Sequence, residues 1–141
     1  MERQQPVSHW LEHTPRGDRT VKEFEATPDV LYAMLARRDL KARSFGDAAS
    51  RSYYAVFHAL SAMIATRGLT YSSHSQTIGA FNREFVKTGV FVPETSRKQQ
   101  RLFEDRQIAD YDWKRHVDEE TACEDVTDAA CTIDKCRRYV N

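Results

Sequence analysis

The chain has 141 residues, 21 of them basic and 21 acidic, so its formal charge is zero and indiscriminate binding along a polyanion is disfavoured. That length suits one hydrophobic core and leaves no room for a second catalytic domain. No apolar run is long enough to cross a bilayer and no secretory leader pattern opens the sequence, so a soluble cytoplasmic protein is the expectation.

Residues 1 to 26 show no sustained period and carry a turn signal at Thr14-Pro15-Arg16-Gly17-Asp18, which predicts a flexible N-terminal arm. Within it His9-Trp10-Leu11-Glu12-His13 fits a zinc peptidase pattern, but that pattern needs a stable helix, a third ligand and a large catalytic domain. Residues 27 to 141 form the expected helical domain. Thr27 and Pro28 open a first helix with Val30, Leu31, Met34 and Leu35 inward, ending near Phe45-Gly46. Asp47 is the expected cap of a second, with Ser50, Tyr54, Phe57, Ser61 and Ile64 inward and a stop at Gly68. Ser73 and Gln76 form a capping box for a third, which carries Ile78, Phe81 and Phe85 and closes at Gly89. Pro93-Glu94 starts a fourth, with Leu102, Phe103, Arg106 and Ala109 on one side. A fifth begins near Val117, acidic in its first turn and basic in its last, as the helix dipole favours. No segment sustains period two, so the fold class is all-α: an up-down bundle of about five helices.

Charge is uneven along the chain. Residues 29 to 115 hold 14 Lys/Arg against 9 Asp/Glu, and 117 to 141 hold 3 against 7. Two basic runs, Arg37-Arg38-Lys41-Arg43 and Arg97-Lys98-Arg101, read first as solvated faces and second as surfaces that track phosphates. Cys123, Cys131 and Cys136 match no zinc spacing and read as reduced, half-buried residues.

The most informative stretch is Arg51-Ser-Tyr-Tyr-Ala-Val-Phe-His58. Seven residues are nearly two helical turns, so Arg51, Tyr54 and His58 share a face, where a cation and an imidazole can act on a phosphate. Spacing by itself carries little weight. With 15 Arg and 5 His in the chain, an Arg and a His with four to six residues between them arise by chance about 1.6 times, and three cases occur. Helical placement is what distinguishes Arg51 and His58 from Arg3 with His9 and Arg67 with His74.

Arg51-Ser-Tyr-Tyr-Ala-Val-Phe-His-Ala-Leu60, with Arg67-Gly-Leu, His74-Ser, Phe85-Val-Lys-Thr-Gly89 and Arg106-Gln-Ile-Ala-Asp-Tyr111, resembles the HEPN domain (higher eukaryotes and prokaryotes nucleotide-binding). The likeness is to small stand-alone prokaryotic members with a Tyr-Tyr-Ala-x-Phe-His helix and runs from about 30 to 140. It implies a helical bundle, commonly a homodimer, often paired with a minimal nucleotidyltransferase as a toxin-antitoxin couple. Active members are metal-independent endoribonucleases that use no cofactor. Their signature is an Arg, four to six residues and a His, in which Arg stabilises the phosphate and His moves a proton.

Here that signature begins at Arg106, and the positions where His is expected hold Tyr111, Asp112 and Trp113. The candidate catalytic residues are therefore Arg51, His58 and Arg106, expected to meet Asp110 between the second and fourth helices. Tyr54, Asp110 and Tyr111 are the candidate RNA or nucleotide groove. In the competing reading Arg106 pairs with Asp110 at i,i+4, His58 is a core histidine, and the chain is a non-catalytic module that binds a nucleotidyltransferase or a nucleotide.

Overall fold

A computed structural model describes residues 27–140. Five helices follow in chain order, α1 (Pro28–Lys41), α2 (Phe45–Ala65), α3 (His74–Phe81), α4 (Pro93–Tyr111) and α5 (Glu119–Val140), and no strand occurs among the described residues. This is the expected all-α bundle. The arm predicted over 1–26, with its two motifs, lies outside the described residues.

Helix ends show which local signals prevail. Ser73 caps α3 by accepting the Gln76 N–H at 3.1 Å, and its hydroxyl donates to the Gln76 side chain, so the capping box forms as read. Gly68 takes φ +74°, with Leu69 N–H on the Ile64 carbonyl and Gly68 N–H on that of Ala65; this left-handed closure is the one glycine favours. The α1–α2 corner falls earlier than expected. α1 stops at Lys41, and Arg43 turns the chain at φ 62° through the same pair of bonds, Ser44 N–H to Asp39 and Arg43 N–H to Leu40. Because a non-glycine residue makes this turn, Phe45-Gly46 lies inside α2 and Asp47 falls in its first turn. Helix α3 runs on through a π-helical turn, Asn82–Val86, that buries Phe85 beside Phe81.

α2 is the central helix and packs against α1, α3, α4 and α5. Its core arc is Ser52, Val56, Ala59, Leu60, Met63 and Ile64, joined by Phe81, Phe85, Leu102 and Ile133 from the other helices. Of the predicted inward stripe only Ile64 is fully buried; Ser50, Tyr54, Phe57 and Ser61 are half-buried along one flank. A helix covered from several sides has no single apolar stripe, so periodicity located the flank and missed the centre.

The α4–α5 seam is polar. Arg101 reaches Glu124 at 2.7 Å, Asp125 at 3.3 Å and Asp105 at 3.9 Å, and also bonds Asp128. Lys98 sits 3.6 Å from Asp128, and Arg97 pairs with Glu94. The run expected to be a solvated basic face is therefore neutralised. Asp125 is fully buried, and burial first, then the neighbouring Asp105, pushes its carboxyl up to about 9. Oδ2 of Asp105 and Oδ2 of Asp125 are both buried without a hydrogen-bond partner. A proton on Asp125, donated to Asp105, satisfies both.

Candidate functional site

Helical phase explains how the α2 signature divides. At about 100° per residue, His58 lies some 20° from Arg51, while Tyr54 lies about 60° round on the same side, followed by Ser50 and Phe57. Arg51 and His58 thus face α1, and Tyr54 faces α4. Arg51 Nη1 donates to Asp39 Oδ2 at 2.8 Å, and burial of Asp39, outweighing the attraction of Arg51, raises its carboxyl. His58 stacks on Tyr32 of α1, with ring centroids 5.3 Å apart and planes within 9°. Its imidazole makes no hydrogen bond among the described residues, and it lines a hollow of about 400 Å³ with Asp29, Met63 and Cys136. The expected convergence of Arg51, His58, Arg106 and Asp110 between α2 and α4 is accordingly replaced by two clusters, one on each flank of α2.

On the α4 side the expected residues do meet. Arg106 Nη2 donates to the Tyr54 hydroxyl at 2.7 Å and to that of Tyr111 at 3.3 Å. Its Nε lies 3.1 Å from Asp110 Oδ2, an ion pair without hydrogen-bond alignment. Ser50 Oγ donates to the same carboxylate at 3.2 Å. The guanidinium carbon stands 5.3 Å from the ring centroids of Tyr53 and Tyr54 and 5.2 Å from that of Tyr111. Three π faces and one carboxylate therefore hold the cation. Nη1 has no partner among the described residues and is not buried, so one edge of a fixed fork stays open.

Beneath Arg106 lies a support that spacing did not reveal. The Tyr53 hydroxyl and His74 Nδ1 are 2.7 Å apart, His74 Nε2 is 3.4 Å from the Gln99 side-chain nitrogen, and the imidazole stacks on Phe103 at 4.0 Å. Burial, then the charge of Arg106, lowers the His74 pKa, so the ring is neutral at pH 7. Gln99 Oε1 is buried without a partner; turning the amide lets it accept the His74 Nε2 proton while Tyr53 donates to Nδ1. Burial pushes the Tyr53 phenol up to about 12, so that proton stays in place. No local pattern in the sequence foretells a bond between Tyr53 and His74, 21 positions apart. Both ring nitrogens of His74 are used internally, so it is a brace for Tyr53 and Arg106.

The arrangement can bind an anion at Arg106 and flat rings beside it. His58, Tyr32, Tyr54 and Arg106 form a continuous row, with Tyr32 and Tyr54 centroids 5.8 Å apart. No group of three or more His, Cys, Asp or Glu suited to a metal occurs among the described residues. None of the described helices is long and apolar enough to cross a membrane.

Comparison with known proteins places this geometry in a family. The family model described as HEPN domain matches residues 32–139. A "UPF0332 protein" of Thermotoga maritima is 36% identical over 101 residues, which is 72% of this chain and 76% of that protein. "Putative toxin MJ0142" of Methanocaldococcus jannaschii is 32% identical over 53% of this chain and 51% of its own length. "Putative toxin MJ0605" of the same organism is 32% identical over 54% of this chain and 57% of its own length.

Proposed function

The chain belongs to the HEPN domain family, and from that premise we propose that it is a toxin-like protein binding RNA, or the nucleotide unit of it, in the α2–α4 groove. One observation carries the reading: Arg106 is held by Tyr54, Tyr111 and Asp110 with Nη1 open. The cation is paired with a single acid, and the Nη1 donors are left for a phosphate oxygen. The two Methanocaldococcus jannaschii relatives named "Putative toxin", each 32% identical, support the role.

The test is binding of a labelled single-stranded RNA measured by anisotropy over a series of salt concentrations. Arg106→Ala is expected to weaken binding ~10-fold or more and to flatten the salt dependence by about 0.7 in log–log slope, the loss of one phosphate contact. Equal binding by wild type and Arg106→Ala overturns the reading.

A second reading, metal-independent cleavage, is favoured by His58, whose imidazole is half-buried, makes no hydrogen bond among the described residues and lies one turn from Tyr54. In it His58 takes the 2′-hydroxyl proton as that oxygen attacks phosphorus, the P–O5′ bond breaks with water protonating the departing 5′-oxygen, and a 2′,3′-cyclic phosphate forms while the imidazolium returns its proton to solvent. Arg51, on the same α1-facing side of α2 as His58, then stabilises the phosphorane charge. Cyclic ends produced in EDTA by wild type and lost in His58→Ala support it; their absence in wild type leaves binding alone. A second copy of the chain or a minimal nucleotidyltransferase completes the proposal, and sedimentation of the protein alone and with such a partner checks each.

A further inference from the structure

We propose that Trp113 is a base-stacking platform beside Arg106, and that the ligand is therefore an unpaired stretch of at least two nucleotides. The inference rests on the reading of the Arg106 groove and adds to it a second point of contact.

Trp113 is 82% exposed, the most open large apolar side chain among the described residues. Its loop is nevertheless built. Asp112 Oδ1 accepts the N–H groups of Lys114 at 2.9 Å and Arg115 at 3.1 Å, and Oδ2 pairs with Arg115 Nε at 3.1 Å. Those bonds, the Lys114 N–H foremost, hold the Asp112 carboxyl below its ordinary range. A fixed turn that holds an indole in water, instead of letting it fold back on the bundle, forgoes the burial of a large apolar ring. The Lys114 ammonium stands 5.2 Å from the ring centroid, and the rest of the indole is open to solvent.

Trp113 lines a hollow of about 470 Å³ together with Ile108, Tyr111, Lys114, Arg115 and the acids Glu104 and Asp112. Such a volume is in the range of small-ligand sites. Tyr111 is shared: its ring lines this hollow, and its hydroxyl receives Arg106 Nη2 at 3.3 Å. Trp113 is two residues further on, at most about 7 Å along the chain. A phosphate on Arg106 Nη1 and a base on the indole thus belong to one short stretch of strand.

Charge separates the two contacts. In the hollow Lys114 and Arg115 are balanced by Glu104 and Asp112, so it contributes stacking and little attraction for phosphate. The uncompensated edge is at Arg106. A base inside a duplex has both faces covered by its neighbours in the stack, so only an unpaired one can lie on the indole.

The experiment uses the Trp10→Phe protein, in which Trp113 is the single tryptophan, since the chain has 2. Its emission is titrated with a mixed-sequence 12-nucleotide RNA, single-stranded and annealed to its complement. Anisotropy over a salt series compares wild type with Trp113→Ala, Trp113→Phe and Arg106→Ala, all checked for helicity. The single strand is expected to quench Trp113 and the duplex to leave it unchanged. Trp113→Ala should weaken binding ~10-fold at an unchanged salt slope, and Trp113→Phe should recover most of it, whereas Arg106→Ala lowers the slope. If RNA binds but Trp113 emission does not move and Trp113→Ala binds as wild type, the platform is wrong and the Arg106 groove stands. Equal quenching by duplex overturns the claim of an unpaired strand. Absence of RNA binding by wild type removes both readings. A change in sedimentation of the free protein in Trp113→Ala, without quenching by RNA, makes Trp113 a protein contact and ends the proposal.

Discussion

Arg101 and Arg106 stand five residues apart on one helix and meet opposite fates. Arg101 turns to α5 and is surrounded by Asp105, Glu124, Asp125 and Asp128. Arg106 turns to α2 and meets Tyr53, Tyr54, Tyr111 and the single carboxylate of Asp110. Acid in excess makes the first cation a fastener, with nothing left over for a ligand. Aromatic faces and Asp110 hold the second in position while its Nη1 keeps free donors, which the proposed phosphate contact requires. Residue type and helix are the same, so the difference lies in the side chains that surround each.

The sharpest way to break the comparison is Arg101→Ala. Removing the cation that faces Asp105, Glu124, Asp125 and Asp128, of which only Asp128 also has Lys98, is expected to cost about 2–4 kcal/mol in urea unfolding, somewhat less than for a fully buried pair because Arg101 is partly exposed. RNA affinity per folded molecule should not change. Arg106→Met is predicted to cost only about 1 kcal/mol, since the half-exposed Tyr54 and the exposed Tyr111 hydroxyls can turn to water, while RNA binding collapses. If Arg106→Met were the more destabilising of the two, the distinction between fastener and site would be lost.

The seam also has a pH signature. Asp125 has its folded-state pKa raised to about 9, so the folded state holds a proton that the unfolded state, titrating near 3.8, has released. Its contribution to stability is full below the unfolded value and is lost as pH rises through the folded one. Thermal unfolding of wild type should therefore weaken progressively between pH about 4 and about 9. Asp125→Asn keeps a neutral donor at the same place and should flatten that slope; an unchanged slope would refute the shared proton. The smallest effect belongs to Arg51→Ala. Its pair with Asp39 is 40% exposed on the arginine side, and its loss should cost about 0.5–1 kcal/mol with at most a ~3-fold change in RNA affinity. A change in affinity as large as that of Arg106→Ala would join the two flanks of α2 into one site.

How far the sequence could be read follows the range of each interaction. Ser73 with Gln76, Gly68, and Arg106 with Asp110 are contacts within a turn, and all were legible. The α1–α2 corner was not, because the left-handed position that usually advertises itself as glycine is Arg43. Tyr53 with His74 and Arg101 with Asp125 join residues 21 and 24 positions apart. Periodicity says that a helix has an inner side without saying which helix it will meet. For that reason Arg97-Lys98-Arg101 read as a basic face, although the acids of α5 cover much of it. The same gap led Arg51 and His58 to be grouped with Arg106, when a rotation of some 60° sends them to another neighbour.

Gly46, in the first turn of α2, faces Ala109 of α4. A Cβ added there would meet the Ala109 methyl at 3.7 Å, ordinary contact, so α2 and α4 nearly touch at this crossing. Tyr54 and Arg106 work farther along the same two rods. The spacing of the two helices at this crossing is thus set by a glycine against an alanine, and a methyl at position 46 would sit at ordinary van der Waals distance. The separation of the rods that carry Tyr54 and Arg106 is anchored at a residue that makes no polar contact with either.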